Sequence, residues 1–436
     1  MRKYGADKIA LFGFFVLSLL TAHLIIVGKS AVKFSEPITL ICDDLSVSLP
    51  SGNGWECENQ WRYYENTFAV SSIFLSRGGS VTAMTNCRYL LAAAGTAADT
   101  QLKQKALAMN GTIEKTGQIT TGKLAVDWAL IKKQTTPLEM FFGITSLPGH
   151  RQVNIEVFEA AGNIKLVEQI FKKAAENLRF KDNHLLEAGG EIIAEIKNKQ
   201  ISTFLNNQPY ENLFIIRDTK GNPIGFTMDR LDCNQHTPLN IEGVSSFYLR
   251  RPYAQQQIAS FKSDDRFDEL VCRTDFGSVF CAKTTELQLE KPASLTVSKL
   301  SPQAEKKIYH VGPAAIPEFF FDQLLSQMLD GDYKQIVVDI IETDGRIVPA
   351  LISKADMTAG DDKEDAEYLL NMEILDGRGF FQKIYLNSQK QTIKMLFQQK
   401  DLYVLEKTDL ENIVKEFPEQ AGHILKQSRL LKQGQL

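Results

Sequence analysis

The sequence lacks most of what would announce an enzyme. No nucleophile elbow, P-loop or dinucleotide fingerprint occurs in it, and no two histidines stand at metal-ligand spacing. Its six histidines, His23, His150, His184, His236, His310 and His423, are scattered singly. No CxxC pair occurs, which removes the commonest thiolate metal sites and the thioredoxin-like redox motif. No basic block is present that would neutralise a run of phosphates, so nucleic acid is disfavoured as a partner. The acidic stretch Asp361, Asp362, Glu364, Asp365 and Glu367 lacks the alternating Asp spacing of a calcium loop and reads as a solvated loop. Neither a cofactor nor a metal is expected.

Composition is that of an ordinary folded protein: 44% hydrophobic and 23% charged residues, with net charge −4, argue against disorder. Six cysteines, Cys42, Cys57, Cys87, Cys233, Cys272 and Cys281, read first as small buried apolar residues. Cys272 and Cys281 alone are close enough in sequence to be the candidate disulfide. Asn110-Gly111-Thr112 fits a glycosylation sequon and also a turn, and is read as the turn.

Against these absences stands one long apolar run. Residues Ile9 to Gly28 carry no charged side chain. A helix rises about 1.5 Å per residue, so twenty residues cover roughly 30 Å, the thickness of a bilayer's hydrocarbon core. The run is too long for a cleaved signal, and no pair of small residues marks a cleavage site beyond it. Arg2, Lys3 and Lys8 precede it, and the far flank turns acidic at Glu36, Asp43 and Asp44. The expectation is a cytoplasmic tail at 1–8, a transmembrane anchor at 9–28 and an extracytoplasmic remainder, periplasmic in a bacterium.

From 38 to 182 the spacing predicts strand hairpins, a helix over Ala92–Met109, further strands, and a closing amphipathic helix after Asn163. Pro148-Gly149 turns the hairpin MFFGITSL/QVNIEVFEA. The opening "LSVSLPSGNGWE", the segment "MFFGITSLPGHRQVNIEVFE" and the closing helix ending "AENLRF" together resemble the PsbP-like α/β/α sandwich. That resemblance implies a non-enzymatic accessory domain that binds partner proteins outside the cytoplasm.

Residues 183–200 are expected to link two domains, with Glu187–Lys199 as a hinge or a docking strand. From 201 to 420 five hairpins are predicted, turning at Lys220–Pro223, Asp264-Asp265, Asp344-Gly345, Asp376-Gly377 and Lys400-Asp401. Helices are expected over Ile316–Leu329 and from Thr408, where a capping box opens one. A curved sheet with few helices is similar to the half-open β-barrels of LolA/LolB-type lipoprotein carriers, which implies a concave apolar face for acyl chains. The alternative is a concave face filled by the chain's own helices. Residues 421–436 form a basic tail.

The fold class expected is therefore α+β: an N-terminal transmembrane helix followed by two antiparallel-sheet α+β ectodomains. The candidate ligand or partner surface is Phe319, Phe320 and Phe321, since three successive rings cannot all face one core from a helix, joined by Arg250 and Arg251 as an anion contact. The function expected is a non-enzymatic binding or scaffold protein of the cell envelope, holding a protein partner or a hydrophobic ligand. An anchored envelope hydrolase with a dispersed site is the alternative.

Overall fold

Alternating apolar and polar residues recur along most of the chain, and the computed structural model turns nearly all of them into strands. It describes residues 18, 19 and 21, and then 32–425 except 41–44, 52–54, 59–66, 78–79, 92–96, 135–137, 150, 160–163, 183, 206–208, 234–238, 251–253, 292, 358–364, 376–379, 399–401 and 423. The anchor at 9–28, but for those three residues, and the tail beyond 425 lie outside the described residues. Among the described residues no helix is long and apolar enough to cross a membrane.

The α+β expectation is corrected here. The molecule is mostly β-sheet, and one sheet has fifteen strands. Hairpins that look separable in the sequence share edges, and each shared edge satisfies a row of backbone groups that would otherwise stay open.

The first unit holds a seven-stranded antiparallel sheet. Its spatial order is Trp55–Glu58, Thr67–Arg77, Ser80–Leu91, Arg151–Glu159, Glu139–Leu147, Leu124–Lys133, Gly111–Thr121. Side chains alternate across it and feed two layers. Ala129, Ile131, Met140, Phe142 and Ile144 pack against Leu102 and Ala106 of helix α1 (Ala98–Ala108). Their sequence neighbours Trp128 and Phe141 meet Phe171 of helix α2 (Ile164–Glu176), with the Phe141 and Phe171 rings 5.3 Å apart and stacked. The result is helix, sheet, helix.

The segment between the units is a third helix, α3 (Leu185–Lys199), whose Ile192, Ile193 and Ile196 are buried. It lies on the strand Gln335–Ile341 so closely that Gly189 meets the Val337 backbone; a Cβ there would stand 2.0 Å from the carbonyl oxygen. The short helix α4 (Ile201–Phe204) follows.

The large sheet is two meanders joined side by side. The first runs through eight strands from Tyr210–Arg217 to Glu305–His310. The second starts at Ala315–Pro317, passes through helix α5 (Phe321–Asp330), and then runs through six strands from Gln335–Ile341 to Leu402–Lys407. The first strand, Tyr210–Arg217, pairs antiparallel with the last, Leu402–Lys407. Every neighbouring pair is antiparallel except Ala315–Pro317 with Gln335–Ile341. The helix expected from Ile316 starts later: Ile316 and Pro317 belong to the strand Ala315–Pro317, Pro317 has extended backbone, and a single 3-10 turn, Glu318–Phe320, intervenes before α5. The turns expected at Asp376-Gly377 and Lys400-Asp401 lie outside the described residues, while the strands flanking each pair with one another.

The sheet curls on itself. At the turn of the Gln335–Ile341/Ile347–Ala355 hairpin, Thr343 accepts a bond from Gln257 at 2.6 Å and, through its carbonyl, one from Thr274 at 2.5 Å, both on strands of the other meander. Outside, the C-terminal helix α6 (Leu410–Glu416), capped by the Asp409 side chain, covers one face: Ile413, Phe417 and Ile424 pack on Ile215, Phe226, Met228 and Tyr248. One continuous apolar core joins the two units, running from Phe171 through Ile193 to Val337 and Phe320.

Candidate functional site

Strand alternation that sends Ile215 and Met228 outward under α6 sends Tyr210, Asn212, Phe214, Thr227, Asp229 and Leu231 inward. Inside the curl they meet the 3-10 turn and the first residues of α5, and the space left is a partly open cavity of about 570 Å³. The concave face is therefore filled in part by the chain's own helix and left empty in part. Apolar walls come from Phe214, Phe247, Phe397, Met395 and Leu405 on one side and from Ile340, Val348, Met372 and Ile374 on another.

The polar lining is strongly one-sided: Asp229, Glu318, Asp322 and Glu342 against a single lining base, Arg346. Arg346 is already engaged, 2.6 Å from Glu342 and 2.8 Å from Asp344. Asp322 accepts three bonds, from the Tyr210 hydroxyl at 2.5 Å, the Asn212 amide at 2.8 Å and the Thr392 hydroxyl at 2.9 Å. Burial, and after it the Asp322 charge, push the Tyr210 phenol upward, keeping it a donor.

Asp229 and Glu318 line the cavity and are half-buried. Burial pushes the Asp229 carboxyl up to about 6, the Ser245 hydroxyl bond acting against this and the Asp322 charge adding to it. Burial pushes Glu318 further, up to about 8, helped by the charge of Glu342 and opposed by a bond from Thr343. Lys407 lies near Asp322; burial lowers its pKa, Asp322 opposes that, and its ammonium donates to Gln391 at 3.3 Å.

The phenylalanine triplet divides between two environments. Phe320 is fully buried, stacked on Phe267 at 5.3 Å and edge-on to Phe261 at 5.8 Å. Phe319 and Phe321 line the cavity, and Phe319 also stacks on Phe261 at 3.7 Å. Arg250 stands elsewhere, 2.6 Å from Glu419 and 4.8 Å over the Phe417 ring, a clamp on the C-terminal segment. Arg251 lies outside the described residues.

The candidate disulfide is corrected: Cys272 and Cys281 are both free. Cys272 points into the core opposite Leu287, whereas Cys281 sits exposed at the following turn beside Ser278. Of the histidines, His184 and His310 fall among the described residues, and neither lines the cavity.

The cavity carboxylates carry no sequence signature because Asp229, the Glu318/Asp322 pair and Glu342 come from three separate segments and form no motif. The signal available was phase: Tyr210, Asn212 and Phe214 share one face of a strand whose other face includes Leu213 and Ile215, so both faces carry apolar residues and the polar ones on the first face point to a buried polar lining.

No family profile matches the chain, and no curated protein matches it. Among solved structures, similarity extends to a β-barrel-like protein of the domain of unknown function DUF1849 from Brucella abortus, at 10% identity and TM-score 0.36, covering 46% of this chain and 96% of that one. A protein from Bacteroides thetaiotaomicron matches at 10% identity and TM-score 0.23, covering 38% of this chain and 62% of its own. A DUF1089 family protein from Pseudomonas aeruginosa matches at 13% identity and TM-score 0.23, covering 38% and 87%. At these TM-scores the likenesses fix neither fold nor function.

Proposed function

We propose that this chain is a non-enzymatic binding protein of the cell envelope, held at the membrane by residues 9–28, whose large sheet takes up a small, largely apolar ligand. One observation carries this: a cavity of about 570 Å³ inside the curl, within the roughly 300–1,000 Å³ range of small-molecule sites. Apolar walls with a few convergent polar groups are the usual lining of such sites. The helix, sheet, helix layering of the first unit supports reading it as a PsbP-like accessory domain that meets a partner protein while the second unit holds the ligand.

Native mass spectrometry of the full chain, released from its own membranes, tests the binding role. The expected result is an added mass that is absent from Thr227→Phe, which fills the cavity from a strand face. An added mass of the same size in that variant, or none in either, overturns the proposal. A reporter fused after residue 436 tests the address: activity outside the cytoplasm is expected, and activity inside overturns it.

A further inference from the structure

The charged lining of the cavity is mostly acidic. Four carboxyl groups line it against Arg346, whose guanidinium is committed to Glu342 and Asp344. Asp322 accepts three bonds, and a carboxylate has about four acceptor positions, so one is left. Asp229 takes a bond from Ser245, across the strand ladder, with further acceptor positions to spare. A separate observation concerns Asn212, which lines the cavity and is 95% buried, and whose enclosed side-chain oxygen finds no donor among the described residues. Lys407, beside Asp322, is the one ammonium the described residues bring near these acids, and a buried acceptor without a donor is costly for folding alone.

A ligand that lowered this cost would bring hydrogen-bond donors and a positive charge. A metal ion is a poor fit, because among the described residues no three His, Cys, Asp or Glu side chains come together as a metal site. The walls also ask for more than a bare ion. Phe214, Phe247, Phe319, Phe321 and Phe397 present five aromatic rings to the same space. Such rings suit an apolar body and attract a neighbouring cation through their faces.

We propose that the cavity selects an organic amine: an ammonium group seated at Asp229 and Asp322, carried on an apolar body that lies against the phenylalanine rings. This rests on the cavity being a ligand site. Free fatty acids, whose chains end in a carboxylate, are disfavoured by the same carboxyl groups.

Three soluble probes of one shape, 2-phenylethylamine, 2-phenylethanol and phenylacetate, separate the two levels of the claim. Each is titrated calorimetrically into the full chain held in lipid nanodiscs, with empty nanodiscs as the blank. The amine is expected to bind on the order of tenfold tighter than the alcohol, with the carboxylate weakest. Asp322→Asn is expected to abolish the preference, so that the amine binds no tighter than the alcohol. Asp229→Asn, which keeps the Asp322 network intact, is expected to do the same and carries the test where the first variant does not fold. Binding of the alcohol or the carboxylate as tightly as the amine overturns the amine preference and leaves the ligand site standing. Persistence of the preference in both variants also overturns it. Binding of none of the three overturns the ligand site itself.

Discussion

Arg151 and Asp339 lie 188 residues apart in the chain, and their side chains meet at 2.6 Å, each about 3% exposed or less. Arg151 belongs to the first sheet and Asp339 to the large one, so a buried ion pair ties the two units together. The Tyr89 hydroxyl accepts a second bond from the guanidinium at 3.2 Å. Burial works against the Arg151 charge, and Asp339 and Tyr89 more than offset it. Asp339→Asn leaves that charge buried without its partner and is expected to cost about 3–5 kcal/mol in urea unfolding. The pair Arg151→Met with Asp339→Leu is expected to recover most of that loss, since apolar replacement of both partners removes the desolvation cost. Equal losses in the single and double variants would show that the contact is indifferent to charge.

Gly189 and Gly190, adjacent in α3, are expected to respond oppositely to alanine. A Cβ on Gly190 finds its nearest neighbour, a Pro313 side-chain atom, at 3.6 Å, an ordinary contact. Gly190→Ala therefore collects the helix-propensity gain of up to about 1 kcal/mol. Gly189→Ala drives a methyl into the Val337 carbonyl and is expected to cost about 1–3 kcal/mol by lifting α3 off its strand. Thermal unfolding of the two variants decides it; a stabilised Gly189→Ala would contradict the close packing of α3.

The cavity acids make stability depend on pH in a definite direction. Glu318 has its folded pKa raised from 4.5 to about 8 and Asp229 from 3.8 to about 6. Between the unfolded and folded values, only the unfolded state gives up the proton, so stability falls as pH rises through each window. The wild-type melting temperature is expected to decline from about pH 5 to about pH 8 on account of these groups. Glu318→Gln is expected to flatten the decline and to melt above wild type at the alkaline end. Parallel curves for the two proteins would be the contrary outcome.

Phe320 and Phe321 differ although they are neighbours. Phe320→Ala empties a fully enclosed position and is expected to cost about 3–5 kcal/mol. Phe321→Ala only enlarges a space that already exists, and about 1 kcal/mol is expected. Ligand affinity should follow the reverse order among variants that remain folded.

Thiol labelling is expected to separate the cysteines by exposure. Cys281 is exposed, whereas burial pushes the Cys87 and Cys272 thiols up to about 12. In the native state a maleimide should modify Cys281 and leave the other two untouched until the protein unfolds, as peptide mass spectrometry would report. Failure of the Cys281 peptide to gain mass would revive a bridge at that residue.

Much of the local structure was legible. Pro148-Gly149 and Asp344-Gly345 sit at hairpin turns, and the apolar spacing of Val167, Ile170, Phe171 and Ala174 marks the buried face of α2. These signals are short-range, because a turn or a helix face is written within a few residues. What was not legible depends on residues far apart. Nothing near Phe214 tells it that Lys407 lies beside it, so two meanders that merge into one sheet read as separate hairpins in an α+β chain. Phe320 looks no different from Phe319 until Phe267 and Phe261 close over it. The acids of the cavity, drawn from three separate segments, become a group only when the sheet curls.

The pairing of the first and last strands has a consequence for how the large sheet assembles. Nearly every other ladder joins strands next to each other in the chain and can zip up from its own turn. The ladder between Tyr210–Arg217 and Leu402–Lys407 brings together residues as far apart as Arg217 and Glu406, 189 positions, which bond at 2.8 Å. Closing so long a loop carries the largest chain-entropy cost in the sheet, so this ladder is expected to form after the local hairpins. A ribosome must release the final strand before Tyr210–Arg217 finds its neighbour, and until then the nascent chain carries an open edge for a chaperone to guard.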